Sequence, residues 1–325
     1  MNLERKLKLR VFGKTGFARW IASAIIGGLL AYSGAANSAP EGSPWNASYF
    51  PNVALTTQDG QVVHFYDDLI KDKVVAINFI FTSCTDVCPA ETAKLRQVQT
   101  LLGDRVGRDV FFYSISIDPK TDTPAVMKAY ARKFDVQPGW LFLTGKPADI
   151  ALLRKKLGLL RPEGETAKAD HNSSLIVGNE ATGQWMKRSS FDNSQVLAGV
   201  IGGWLHNWKV ADTAPKQNYA DASRIAAQPQ GEKLFRTRCV SCHSIGGGNG
   251  LGPDLLGIVD KRNRGWLMRW LKAPDQMIAE KDPTALALYA KYGQLKMPNF
   301  RFADEDASAL IEYMQAQSQI VAGTH

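Results

Sequence analysis

Four cysteines in two pairs carry most of the chemistry legible in this 325-residue chain. The later pair, in Cys239-Val240-Ser241-Cys242-His243, has the spacing C-x-x-C-H. At a helix end, two thiols three positions apart can each add to one vinyl group of a porphyrin. The adjacent imidazole then faces the iron, so the spacing predicts one covalently attached haem c. A zinc site would want more ligands than two Cys and one His. The sixth position of the iron asks for a further donor. Met297, 54 residues past His243 and just before Pro298, is placed on a loop where it can close over a haem face. Thioether ligation raises the iron potential and suits electron transfer. Met268 and Met314 fall within helical apolar patterns and read as core, and Met277 is a weaker rival.

The earlier pair, Cys84 and Cys88, brackets Thr85-Asp86-Val87 between an apolar strand and a helix that has Pro89 in its first turn. A helix N-terminus stabilises thiolate, which predicts lowered pKa values for both sulfurs. Three readings stay open from spacing alone: a structural disulfide, a redox-active dithiol, or a soft metal site. Copper(I) on two thiolates would take His as a third ligand. Of the five His, His243 is used, while His64, His206 and His325 read as surface residues. His171 immediately precedes an apolar strand.

The elements that must position these groups divide the chain. Val53–Phe65 alternates around Asp59-Gly60, the signal of a hairpin with a two-residue loop. Strands are expected over 73–81, 110–117 and 140–143, with helices over 89–102, 124–134 and 148–157. A hairpin of 173–177 with 184–188 precedes a helix over 194–208. Strands alternating with helices and closed by a hairpin describe an α/β domain with a mixed sheet over residues 40–208. Residues 209–229 lose periodicity and read as a linker; if flexible, its ends would lie roughly 25 Å apart on average. That permits both packed and swinging domains. From 230 to 325 only helical patterns appear, so the second domain is all-α.

The excess of 39 Lys/Arg over 31 Asp/Glu is unevenly spread. Residues 1–39 hold six Lys/Arg and one Glu, whereas residues 40–205 balance. The folded part is thus too weakly basic for a phosphate-binding surface, which excludes a nucleic-acid function. Arg5 to Arg19 followed by the apolar run Trp20–Tyr32 and small residues reads as an export signal, or as an uncleaved anchor. The expected location is periplasmic, or membrane-anchored facing the periplasm, with membrane contact only through residues 1–39.

Gly231-Glu232-Lys233-Leu234-Phe235, then Gly252-Pro253-Asp254-Leu255, then Ala309-Leu310-Ile311-Glu312-Tyr313-Met314 resemble class I cytochromes c. The resemblance implies that Gly231 and Phe235 pack against the last helix near Tyr313. It also implies that the Pro253 carbonyl orients His243. Phe81-Thr82-Ser83-Cys84-Thr85-Asp86-Val87-Cys88-Pro89, then Ser114-Ile115-Ser116-Ile117-Asp118-Pro119, then Asp170-His171 before a strand, resemble the SCO/SenC family of thioredoxin-like copper chaperones. That resemblance implies one copper held by Cys84, Cys88 and His171. Thr85 departs from the family's usual Pro and Asn172 from a frequent Ser, changes that leave the ligand set intact.

Together the resemblances imply a thioredoxin-like domain followed by a cytochrome c domain. They imply a metallochaperone for the dinuclear copper site of cytochrome oxidase, with a fused electron-transfer haem. The partners implied are the oxidase copper subunit, or another exported copper protein, and a redox partner for the haem. Copper and haem each exchange one electron, whereas a dithiol exchanges two. Two alternatives stand beside this reading. One is a thiol–disulfide oxidoreductase in which Cys84 and Cys88 cycle and draw electrons from the haem. The other is an electron-transfer or redox-sensing protein.

Overall fold

A computed structural model describes residues 44–159, 173–206 and 228–323. The expected linker falls largely, and the expected export segment wholly, outside these residues.

Seven strands form one sheet in the order β2-β1-β5-β4-β3-β6-β7: β1 Ala54–Thr57, β2 Val62–His64, β3 Val74–Ile80, β4 Val110–Ser116, β5 Trp140–Gly145, β6 Ser174–Asn179 and β7 Gln184–Ser189. The central strands β3, β4 and β5 are parallel, and the flanking pairs are antiparallel. β3 reads Val-Val-Ala-Ile-Asn-Phe-Ile and is buried throughout, as a strand covered on both faces must be. Its alternation sorts side chains to opposite faces. Val74, Ala76 and Ile80 join one apolar cluster, and Val75, Ile77 and Phe79 the other.

Helices α1 (Cys88–Leu102), α2 (Pro124–Lys133) and α4 (Ser194–Ala198) contribute to the first cluster, and α3 (Pro147–Lys156) to the second. This is the mixed-sheet, thioredoxin-like α/β architecture expected for the first domain. Two local expectations differ. The first hairpin has a three-residue loop, because Thr56 pairs with Val62 and Thr57 N–H donates to the Gln61 carbonyl at 2.8 Å. Gly60 supplies the left-handed backbone this loop needs, at φ +82°. The helix expected over 194–208 is regular only through Ala198, then widens over Gly199–Trp204.

The second domain is helical, with α5 (Gln230–Leu234) leading into wider turns through Cys239. It continues with α6 (Ile258–Lys261), α7 (Arg264–Lys272), α8 (Pro274–Ala279), α9 (Pro283–Lys291) and α10 (Asp304–Gly323). α5 crosses α10 at Gly231, where an added Cβ would meet the Ala309 carbonyl oxygen at 2.0 Å. Phe235 packs beside Tyr313 with ring centroids 5.4 Å apart. Both contacts are those the cytochrome resemblance implied.

Candidate functional site

The cysteine loop leaves the end of β3 and enters α1. Its first residues are pinned by Asp122, which is fully buried. That carboxylate accepts from Thr82 N–H, from the Thr82 hydroxyl and from the Ser116 hydroxyl, the last at 2.6 Å. Cys84 N–H donates to the Phe81 carbonyl at 3.1 Å, and Cys88 opens α1 with Pro89 behind it. Both cysteines are buried, 5 % and 0 % exposed.

Their side chains are hydrogen-bonded to each other, and Cys88 is held well above the ordinary thiol range. Burial is the main cause, followed by the hydrogen bond and charge of Cys84 and then the charge of Glu91. The depression expected for Cys88 from a helix N-terminus is therefore overturned: removing the thiolate from water outweighs the partial charges of one helix end.

His171 lies outside the described residues. β6 begins at Ser174 and runs antiparallel to β3 with Ile176 opposite Ile77, so its start lies at the sheet end from which the cysteine loop departs. Among the described residues no group of three or more Cys, His, Asp or Glu side chains gathers as a metal site. His64 is exposed beside Asp68, 3.3 Å away.

The second centre is a mainly apolar cavity of about 350 Å³ lined by Cys239, Cys242, His243, Leu267, Met297 and Leu310. The C-x-x-C-H segment is wound as a helical turn, with His243 N–H donating to the Cys239 carbonyl at 2.9 Å. His243 Nδ1 lies 2.8 Å from the Pro253 carbonyl, which orients the ring. Gly252 leaves the space the ring occupies, since a Cβ there would sit 2.4 Å from Cε1. Burial pushes the Cys239 thiol up to about 12 and the Cys242 thiol to about 11, and depresses His243 against the opposing Pro253 bond.

A neutral, oriented imidazole beside two thiols in an apolar cavity with a thioether on its wall is the donor set a covalently held haem requires. Met314, assigned to the core, is buried and also lines this cavity, whereas Met277 is buried elsewhere. Asp254 knits the loop behind His243 by accepting from the backbone N–H groups of Gly246, Gly248 and Leu256 and from the Ser244 hydroxyl.

The two centres are neighbours. Pro89, next to Cys88, also lines the haem cavity. Asn299 N–H donates to the carbonyl of Thr85, between the two cysteines, at 3.0 Å, and Arg301 pairs with Asp86 at 2.9 Å. Of the two arrangements the linker length allowed, this structure has the packed one. Sequence reasoning missed Asp122, Asn299 and Arg301. Asp122 had a faint signal, four residues past Asp118 at a strand end; Asn299 and Arg301 had none.

The sequence profile of the SCO1/SenC family matches residues 45–201, and that of cytochrome c matches residues 229–318. An SCO2-like protein of Rickettsia felis is 31 % identical over 145 residues, covering 43 % of this chain and 68 % of its own length. Among solved structures, Bradyrhizobium japonicum ScoI with copper bound is 28 % identical with a TM-score of 0.39, covering 46 % of this chain and 94 % of its own. The cytochrome c domain of a Pseudomonas putida protein is 53 % identical with a TM-score of 0.26, covering 27 % and 88 %.

Proposed function

The chain belongs to the SCO1/SenC family and carries a cytochrome c domain behind that module, and on this premise we propose that it is a copper metallochaperone with a built-in one-electron carrier. Copper(I) is the cargo. Cys84 and Cys88 supply two thiolates and His171 the imidazole, a soft set suited to that ion. The observation that carries the reading is the placement of Cys84 and Cys88 side by side, hydrogen-bonded to each other, on a loop pinned by Asp122. The acceptor is the dinuclear copper subunit of cytochrome oxidase, or another exported copper protein. The reading of residues 1–39 as a cleaved signal or an anchor supports a reaction on the periplasmic side.

One haem c would be held through Cys239 and Cys242, with His243 and Met297 as the residues that would supply donors to its iron. When bound it supplies a one-electron store matched to the copper(I)/copper(II) couple. The chain's own residues orient that store: Pro253 fixes the imidazole, Gly252 makes room for it, and mainly apolar side chains line the cavity.

The experiment is an anaerobic copper(I) titration of the full chain, haem attached, against a competing chelator. One tightly held copper, lost in Cys84→Ser and in His171→Ala, is expected. No copper held beyond the chelator's grip sinks the chaperone reading. A second reading rests on the mutual hydrogen bond of the two thiols, which brings them close enough to form a disulfide. A thiol–disulfide oxidoreductase would turn over a dithiol substrate, lose turnover in Cys84→Ser and keep it in His171→Ala.

A further inference from the structure

The loop that carries Met297 does not end at the haem cavity. Two residues beyond it, Asn299 is tied in three directions. Its backbone N–H donates to Thr85 of the cysteine loop, its side-chain NH2 donates to Asp275 at 2.7 Å, and its Oδ1 accepts from Arg301 N–H at 2.9 Å. Arg301 is held in the left-handed region at φ +52°, an unfavourable conformation for a residue with a side chain. In that conformation its guanidinium meets Asp86.

The contact continues beneath. Phe300 meets Phe191 edge-on at 6.2 Å, and the Arg238 guanidinium lies 4.1 Å over the Phe191 ring. Arg238 immediately precedes the haem cysteine Cys239. On the next face, Lys94 Nζ and Gln97 Nε2 of α1 donate to the carbonyls of Arg236 and Val240, on either side of that cysteine. The methionine loop thus rests on the cysteine loop, and the haem-attachment turn rests on the helix that Cys88 opens.

We propose that Asn299 and Arg301 are positioning residues that clamp the Met297 loop to the Cys84–Cys88 loop and so hold the two centres in electron-transfer contact. The clamp rests on the chaperone reading for its purpose, and on the geometry above for its existence. The step it would serve is the transfer of one electron, copper(I) to copper(II) against ferric to ferrous haem, with no bond or proton transferred. The ion pair is open to water, Arg301 being 79 % and Asp86 36 % exposed, so salt screens it. Raising the salt concentration therefore weakens this ion pair selectively, leaving the Asn299–Thr85 bond and the aromatic contacts in place.

The test uses the full chain with haem attached and compares the wild type with Arg301→Glu, Asp86→Arg and the double variant that exchanges the two charges. At low salt, amide hydrogen exchange at Asn299 is expected to be about tenfold or more faster in each single variant and slow again in the charge-exchanged protein. Haem reduction by one equivalent of copper(I), followed by absorbance, is expected to slow in the single variants, recover in the exchanged pair, and slow in the wild type at high salt. The far-red absorbance of the methionine-ligated ferric haem reports that each variant retains its haem pocket. Asn299 exchange that ignores these charges, or no recovery in the exchanged pair, overturns the clamp. Exchange that follows the charges while copper(I) reduces the haem in none of the proteins supports the clamp as a docking contact and overturns the electron-transfer reading.

Discussion

His243 and Gly252 are a matched pair: the imidazole lies where the glycine has no side chain, so that Nδ1 reaches the Pro253 carbonyl at 2.8 Å. In Gly252→Ala the new Cβ would fall 2.4 Å from Cε1, and either the ring or the loop must move. Loss of such an orienting partner costs roughly 10- to 100-fold in affinity at metal sites. The variant is expected to show a lower fraction of haem-loaded protein and a shifted midpoint potential. Haem absorbance per polypeptide and a redox titration check both; wild-type values in the two would remove the orienting role from Pro253.

Asp122 holds the start of the cysteine loop from a position with no solvent exposure. Asp122→Ala would strand Thr82 N–H and the hydroxyls of Thr82 and Ser116. Unpaired buried groups of this kind cost about 1–3 kcal/mol each, and partial relaxation brings the expected loss to on the order of 2–4 kcal/mol. Urea unfolding of the full chain, haem attached, measures it. Copper(I) affinity is expected to fall in the same variant, because the backbone leading to Cys84 loses its anchor.

Asp254 is expected to make the cytochrome domain acid-sensitive. Burial works to raise its pKa, but the N–H groups of Gly246, Leu256 and Gly248 and the Ser244 hydroxyl together bring it below the usual carboxylate range. A depressed folded-state pKa gives stability that is complete above the unfolded carboxylate pKa and is lost as pH falls through the folded one. Thermal stability followed by haem absorbance should therefore decline below about pH 4. In Asp254→Asn that decline should be shallower, from a lower starting point. An unchanged acid limb in the variant would show that another group governs it.

Gly231 is the contact point of α5 and α10. Alanine there places a Cβ 2.0 Å from the Ala309 carbonyl oxygen and 2.8 Å from Tyr313 Cβ, so the helices must separate. Overpacking of this kind costs about 1–3 kcal/mol. A lower melting temperature of the haem-bearing domain, with unaltered copper(I) uptake at Cys84 and Cys88, is the expected result in calorimetry and chelator competition.

The architecture was legible wherever the cause was local. Pro124 and Pro147 sit in the first turns of their helices, and Gly103 ends α1 at φ +57°. The apolar run of β3 needed both faces covered, and α/β packing covers them. The hairpin loop was misread by one residue because Asp59-Gly60 also suits a three-residue loop, and only the register of Thr56 with Val62 selects between them. Cys88 was misread because its position at a helix start is visible in the sequence while its burial is not.

The sequence alone determined which donors exist and how closely neighbours along the chain can approach. C-x-x-C-H fixes two thiols and an imidazole within one helical turn, and a pair spaced as Cys84 and Cys88 at a helix start can meet at one point. The tertiary structure decided what surrounds them. Asp122 reaches Thr82 across 40 residues, and Arg301 reaches Asp86 across 215. Contacts of that range depend on which faces bury against each other, a property of the whole packed chain that no local spacing encodes.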